Sequence, residues 1–150
     1  MMRKRIFLSA LFLPMIFSAC SSEPMQVICG KDFIQSRAAV VDTSSVFHSS
    51  EPFVMQFRYG KNFDFSKLKW EVVNASGKII ASKTSPVNAK EGSYTVLVSS
   101  IRGGFSSATE FFKAKEGEFS IRFFDADADS LLMQKQIRVV RNSEKIDGVK

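Results

Sequence analysis

The densest chemical feature of the chain is Asp125-Ala126-Asp127-Ala128-Asp129-Ser130, with carboxylates at alternate positions. Carboxylates spaced this way converge on Ca²⁺ when the loop curls around the ion. The calcium-loop template has Gly at its sixth place and Glu at its twelfth; this chain has Ser130 and Gln136 there. The segment also joins two strand-like stretches, not two helices. The plainer expectation is an acidic hairpin tip whose Asp side chains favour turn geometry, with no metal and no cofactor. Paired carboxylates of the glycosidase kind need a second acid facing this turn, and no pattern supplies one. His48 is the single histidine, in His48-Ser49-Ser50. A Ser–His pair works only with a carboxylate and an oxyanion site in space, which adjacency in sequence does not provide. One histidine is also too few for a His-based catalytic zinc site. No catalytic residue is assigned, and His48 reads as a solvated loop residue.

The cysteines are Cys20 and Cys29, without zinc-type spacing. Cys20 closes a segment with its own logic. Arg3, Lys4 and Arg5 are followed by an apolar stretch from Ile6 to Ile16, and Phe17-Ser18-Ala19 lead into Cys20, Ser21 and Ser22. The apolar run is shorter than the roughly 20 residues of a membrane-spanning helix. Its order is that of a secretory signal. Cleavage before Cys20 places bulky Phe17 where an ordinary signal peptidase wants a small side chain. Phe17-Ser18-Ala19-Cys20 resembles instead the lipobox of bacterial lipoproteins, with Phe17 standing where Leu or Val is usual.

That resemblance implies cleavage before Cys20, a diacylglyceryl group on its sulfur and an acylated new N-terminus. Two or more acyl chains give stable membrane attachment. In enterobacteria-like lipoproteins Asp after the cysteine favours the inner membrane, so Ser21 points to the outer one. The expected location is the bacterial cell envelope, with the membrane as a partner through lipid on Cys20. The expected division is residues 1–19 signal peptide, 20–32 lipidated N-terminus and tether, 33–141 folded domain and 142–150 polar tail. With Cys20 lipidated, Cys29 has no intramolecular partner and reads as a small buried thiol. A Cys20–Cys29 disulfide becomes available only without lipid, and an intermolecular disulfide is the remaining option for Cys29.

The formal charge of +6 is partly an address label. Arg3, Lys4 and Arg5 leave with the leader, so residues 20–150 carry 18 basic against 15 acidic side chains, a formal +3. No dense basic run or aromatic stripe indicates nucleic acid, and Arg102-Gly103-Gly104 occurs once. All but Phe7, Phe12 and Phe17 of the 15 phenylalanines lie beyond the leader. With Trp70, Tyr59 and Tyr94 they can fill the core of one domain.

The elements that position these residues read as short strands. Phe33 to Val41 is a weak first strand or a pair of half-strands. Phe53, Met55, Phe57 and Tyr59 alternate with Gln56 and Arg58, the period of a half-buried strand. Leu68, Trp70 and Val72 alternate with Lys67, Lys69 and Glu71. Asn74-Ala75-Ser76-Gly77 is a hairpin turn, and Lys78 to Lys83 returns. Ser93 to Ser99, Gly117 to Phe124 and Leu131 to Val140 complete the set. About seven strands with regular turns predict an all-β antiparallel sandwich. A Glu-Pro-led strand, a Trp-bearing strand, a Ser-Gly hairpin and a late Gly-x-Phe-x-Ile strand make residues 36–141 similar in pattern to immunoglobulin-like and fibronectin III-like domains. The cysteine pair and tyrosine corner of antibody domains are missing. Such a fold implies no activity by itself.

In this sandwich Lys67, Lys69, Ser120, Arg122, Gln134, Gln136 and Arg138 are expected to face outward on one sheet. Lys69, Arg122 and Arg138 are the candidate basic binding face, against the default of an ordinary solvated sheet. Phe105, Phe111 and Phe112 form a docking patch if exposed and a core cap if buried. The expected function is a non-enzymatic binding or assembly module that contacts an envelope protein or surface polymer. The alternative is a carbohydrate- or lipid-binding accessory module, calcium-assisted through Asp125, Asp127 and Asp129. Oligomeric state leaves no mark in the sequence.

Overall fold

The structure, a computed structural model, describes residues 23–49, 51–97 and 116–141. Among them the strands are β1 (Gln26–Ile34), β2 (Ala39–Thr43), β3 (Val46–His48), β4 (Val54–Arg58), β5 (Lys67–Asn74), β6 (Ile79–Pro86), β7 (Ser93–Leu97), β8 (Gly117–Asp125) and β9 (Ser130–Val140). One sheet has the order β2-β1-β4-β7 and the other β3-β9-β8-β5-β6. Pairing is antiparallel except for β3, which lies parallel to β9 through Val46↔Arg138 and His48↔Val140. The chain crosses between sheets after β2, β3, β4, β6 and β7, and β1–β2, β5–β6 and β8–β9 are antiparallel pairs of consecutive strands. Hairpin pairs interleaved across two packed sheets are the arrangement of an immunoglobulin-like β-sandwich.

The inner faces meet over aromatic side chains. Phe47, Phe53, Phe57, Phe123, Met55, Leu68, Ile121 and Val72 are fully buried. Phe57 of β4 stacks on Phe123 of β8 at 5.0 Å and 13°, which joins the two sheets. Phe47 meets Phe53 edge-on at 5.0 Å. Burying each such ring contributes about 1.5–3 kcal/mol. Leu68, Trp70 and Val72 point inward as their alternation predicts, and so do Phe119, Ile121 and Phe123.

Three features differ from the sequence reading. β1 begins at Gln26, inside the stretch read as tether, with Val27 and Cys29 buried. β4 is buried on both faces, Gln56 included. The reason is Gly30. A side chain there would lie 2.5 Å from Val40 Cγ1 and the Val41 carbonyl oxygen. Glycine thus lets the β1–β2 hairpin close tightly and fold back over the outer face of its sheet. At its tip, Ala38 takes a left-handed φ of 46°. The Ala38 carbonyl accepts a hydrogen bond from Gln56 Nε2 at 2.9 Å, and Thr95 Oγ1 accepts another at 2.9 Å. Arg58 Nε donates to Gln56 Oε1 at 2.9 Å, so the buried amide is satisfied at both ends. His48 lies in strand β3, not in a loop, and is exposed.

Candidate functional site

The acidic turn is fastened to its surroundings. Asp125 Oδ1 accepts from the backbone N–H groups of Asp127 (2.8 Å) and Ala128 (3.2 Å), which builds the turn itself. Asp127 accepts from the Ser66 backbone N–H at 2.6 Å and from Ser66 Oγ at 2.8 Å. These bonds from Ser66 hold the Asp127 carboxyl below the usual range. Asp129, at a φ of 49°, meets Lys69 Nζ at 3.3 Å. A calcium site needs about 6–8 oxygens converging on one point. These three carboxylates serve three different partners. Among the described residues, no group of three or more His, Cys, Asp or Glu side chains is arranged to hold a metal.

The outer face of the β3-β9-β8-β5-β6 sheet carries Lys67, Lys69, Arg122 and Arg138, with Glu71 and Glu118 set among them. Lys69 is half-buried, 3.4 Å from Glu71 and 4.5 Å above the Phe124 ring. Its pKa is raised, first by the hydrogen bond to Asp129. Arg122 stands opposite Glu71 in register, and Arg138 opposite Glu118. Ser120 is buried, not exposed, with Gln136 Nε2 at 3.4 Å from its hydroxyl. Arg122 Nε is buried with no hydrogen-bond partner. Glu118 joins Glu71, already on this face by the alternation of its strand, among the basic side chains. Phe105, Phe111, Phe112 and Cys20 lie outside the described residues.

The remaining reactive types are held in structural roles. Cys29 is 1% exposed, and desolvation pushes its thiol up to about 12 despite the nearby Lys135 charge. That leaves almost no thiolate at neutral pH, so the thiol is inert. The His48 backbone N–H donates to Glu51 Oε2 at 2.7 Å, and Lys31 Nζ reaches Glu51 Oε1 at 2.8 Å. Desolvation raises the Glu51 pKa, but these two bonds outweigh it and keep the carboxyl below its ordinary value.

The two ends of the sandwich differ. At one end the chain joins β1 across Gly60, whose φ is 86°. A side chain on Gly60 would fall on the Glu23 carbonyl oxygen, so Glu23 and Pro24 are packed directly against it. The surrounding loop is tied by Tyr59 Oη to Asp64 (2.6 Å) and Lys61 Nζ to Asp64 (2.6 Å). Ser66 connects the same loop to the acidic turn. A shallow cleft of about 400 Å³ here is lined by Glu23, Arg37, Arg58 and Lys61. At the opposite end, beyond the β5–β6 hairpin, a cleft of about 700 Å³ is lined by Asn74, Lys78, Ile79, Ile80, Glu118 and Phe119. Ile79 is half exposed there.

No protein-family model matches the chain, and no curated protein matches it in sequence. Among solved structures, it is similar to an immunoglobulin-like protein from Pseudomonas aeruginosa at 14% identity and a TM-score of 0.46. The match covers 79% of this chain and 98% of that one. The assignment of this chain to immunoglobulin-like sandwiches rests on its own strand order.

Proposed function

We propose that the chain is a lipid-anchored component of a bacterial cell envelope. In this reading its sandwich is held at the outer membrane through Cys20 and binds or assembles with another envelope protein or a surface polymer, without catalysis. The observation that carries the reading is the order within residues 1–20: Arg3-Lys4-Arg5, an apolar run, then Phe17-Ser18-Ala19-Cys20. The packing of Glu23 and Pro24 on Gly60 is consistent with it, because a domain clamped so close to Cys20 has little free tether. The non-catalytic element is supported by where the reactive side chains go. The acidic turn braces two loops, Glu51 braces β3, and Cys29 is sealed in the core. The cleft beyond the β5–β6 hairpin offers a partner apolar, amide and charged groups together.

The test is the intact mass of the protein extracted from membranes. The expected mass is that of residues 20–150 plus diacylglyceryl and acyl groups. An unmodified chain, or one retaining residues 1–19, would sink the lipoprotein reading. Photo-crosslinking from Ser76 in whole envelopes should then capture a defined partner; no adduct from that end would remove the binding role assigned to its cleft.

A further inference from the structure

We propose that the cleft between Arg37 and Arg58 binds the carboxylate of an acidic sugar, so that the surface polymer this domain meets carries uronic acids. The inference rests on the binding reading but not on the lipid anchor, and its site is separate from the cleft beyond the β5–β6 hairpin. The alternation of β4 builds it. Phe57 points into the core, so Gln56 and Arg58 point to the outer face of their sheet. In register Arg58 lies between Gln26 of β1 and Ser93 of β7. Buried Gln56 ties both arginines to one group. Its Oε1 accepts from Arg58 Nε at 2.9 Å, and its Nε2 donates at 2.9 Å to the carbonyl of Ala38, next to Arg37 at the β1–β2 tip. Arg58 is thus held by one edge of its guanidinium, which leaves its two Nη groups for a ligand. Among the described residues, neither Arg37 nor Arg58 forms an ion pair or any further side-chain hydrogen bond.

The ligand class follows from the lining. The free Nη groups of an arginine match the two oxygens of a carboxylate, and Arg37 adds a second guanidinium to the same cleft. Lys61, also on the lining, is already taken by Asp64 at 2.6 Å. With that pair neutral and Glu23 as the one carboxylate of the lining, the cleft carries a formal +1. A single negative charge matches it better than a phosphate dianion does. The remaining groups suit hydroxyls. The Glu23 carboxylate accepts from them, and Asn62 and Ser93 can both donate and accept. A peptide fits less well, because peptide recognition leans on buried aromatic and aliphatic anchors. The only apolar side chain on this lining is the methyl of Ala38. The cleft measures about 400 Å³ and is shallow, so a sugar ring can sit in it while the polymer continues to either side.

The experiment titrates the full chain, as extracted from membranes into detergent micelles, with methyl glucuronide and follows its backbone amide resonances. The amides of Arg58 and Ser93 should shift. Methyl glucoside and N-acetylglutamate amide should each bind about tenfold more weakly, the first for want of the charge and the second for want of the hydroxyls. Arg58→Lys keeps the charge but loses the fork, and it should cost the glucuronide about tenfold in affinity. The Arg37 side chain is exposed and bonds nothing among the described residues, so Arg37→Gln should weaken binding with the melting temperature unchanged. That variant keeps the test decisive if Arg58→Lys disturbs Gln56. A glucuronide that leaves these amides unmoved, or that binds both variants as well as the native chain, would overturn the proposal. Equal affinity for N-acetylglutamate amide would overturn the sugar assignment in favour of an acidic peptide. Photo-crosslinking from Ser76 reads the other cleft. An adduct there with silence at Arg58 defeats this inference alone, whereas silence at both defeats the binding reading itself.

Discussion

Gly60 and Gly77 provide a controlled comparison within one molecule. Both hold left-handed backbone, φ 86° and 84°. A methyl group at Gly77 would meet open space, whereas at Gly60 it would collide with the Glu23 carbonyl. Gly77→Ala therefore costs only the left-handed penalty, about 1–2 kcal/mol. Gly60→Ala carries the same penalty plus about 1–3 kcal/mol of overpacking against backbone that has no rotamer to escape into. The excess measures how firmly the N-terminal segment is clamped. Urea unfolding followed by the fluorescence of Trp70, the single tryptophan, gives both values. The expected result is a larger loss for Gly60→Ala by roughly 1–3 kcal/mol. Starting the domain at Met25 deletes the obstruction, and the two variants should then cost the same. Equal losses in the longer chain, or an excess at Gly60 that persists once Glu23 and Pro24 are gone, would refute the clamp.

Phe57→Ala should destabilise by about 3–5 kcal/mol, and a double-mutant cycle with Phe123→Ala should assign about 0.5–1.5 kcal/mol to the stacked pair itself. Thiol titration of Cys29 should show no reaction in the native state at pH 8 and full reaction in denaturant. Because burial pushes the folded thiol up to about 12 while the unfolded one keeps its ordinary value of 9.0, the folded state binds more protons between those values. Stability should therefore fall above pH 9, by at most about 1.4 kcal/mol per pH unit, and Cys29→Ala should flatten that slope. Asp127 is depressed in the folded state, so its contribution is complete above the unfolded carboxyl range and fades as pH falls through the lower folded value. Asp127→Asn should lower stability at pH 7 and weaken the pH dependence of unfolding below pH 4, measured by thermal melts across that range.

What was legible in the sequence was what is local. Leu68, Trp70 and Val72, or Phe119, Ile121 and Phe123, declare a strand and its buried face by alternation alone, and Asn74-Ala75-Ser76-Gly77 declares its hairpin. Gly77 N–H donates to the Asn74 carbonyl at 3.0 Å, as such a turn demands. The start of β1 was not legible, because Gly30 within Gln26–Ile34 looks like a strand breaker until the tight closure of β2 against it is known. Gln56 looked like an outward residue, since nothing local shows that the β1–β2 tip folds over it. The acidic neighbour of Lys69 and Arg122 was half legible. Glu71 sits two residues from Lys69 on the same strand face, but its place opposite Arg122 depends on the β5–β8 register. The Ser66–Asp127 brace joins residues far apart in sequence, so only the assembled sheets bring it about.

The position of β9 has a consequence for how the domain comes to be folded. β9 is last in the chain order of described strands but not last in its sheet: it lies between β3 and β8, and its pairing with β3 sets residues 46–48 beside residues 138–140. Contacts spanning so much of the chain require a large loop to close before they contribute anything, which slows folding. A chain made N-terminus first therefore waits for its final strand with β8 unpaired along one edge and Phe47 without the strand that flanks it. In that interval the half-built sheet has open backbone that another chain can pair with. Docking of β9, the last of the described strands, closes the open edge of β8.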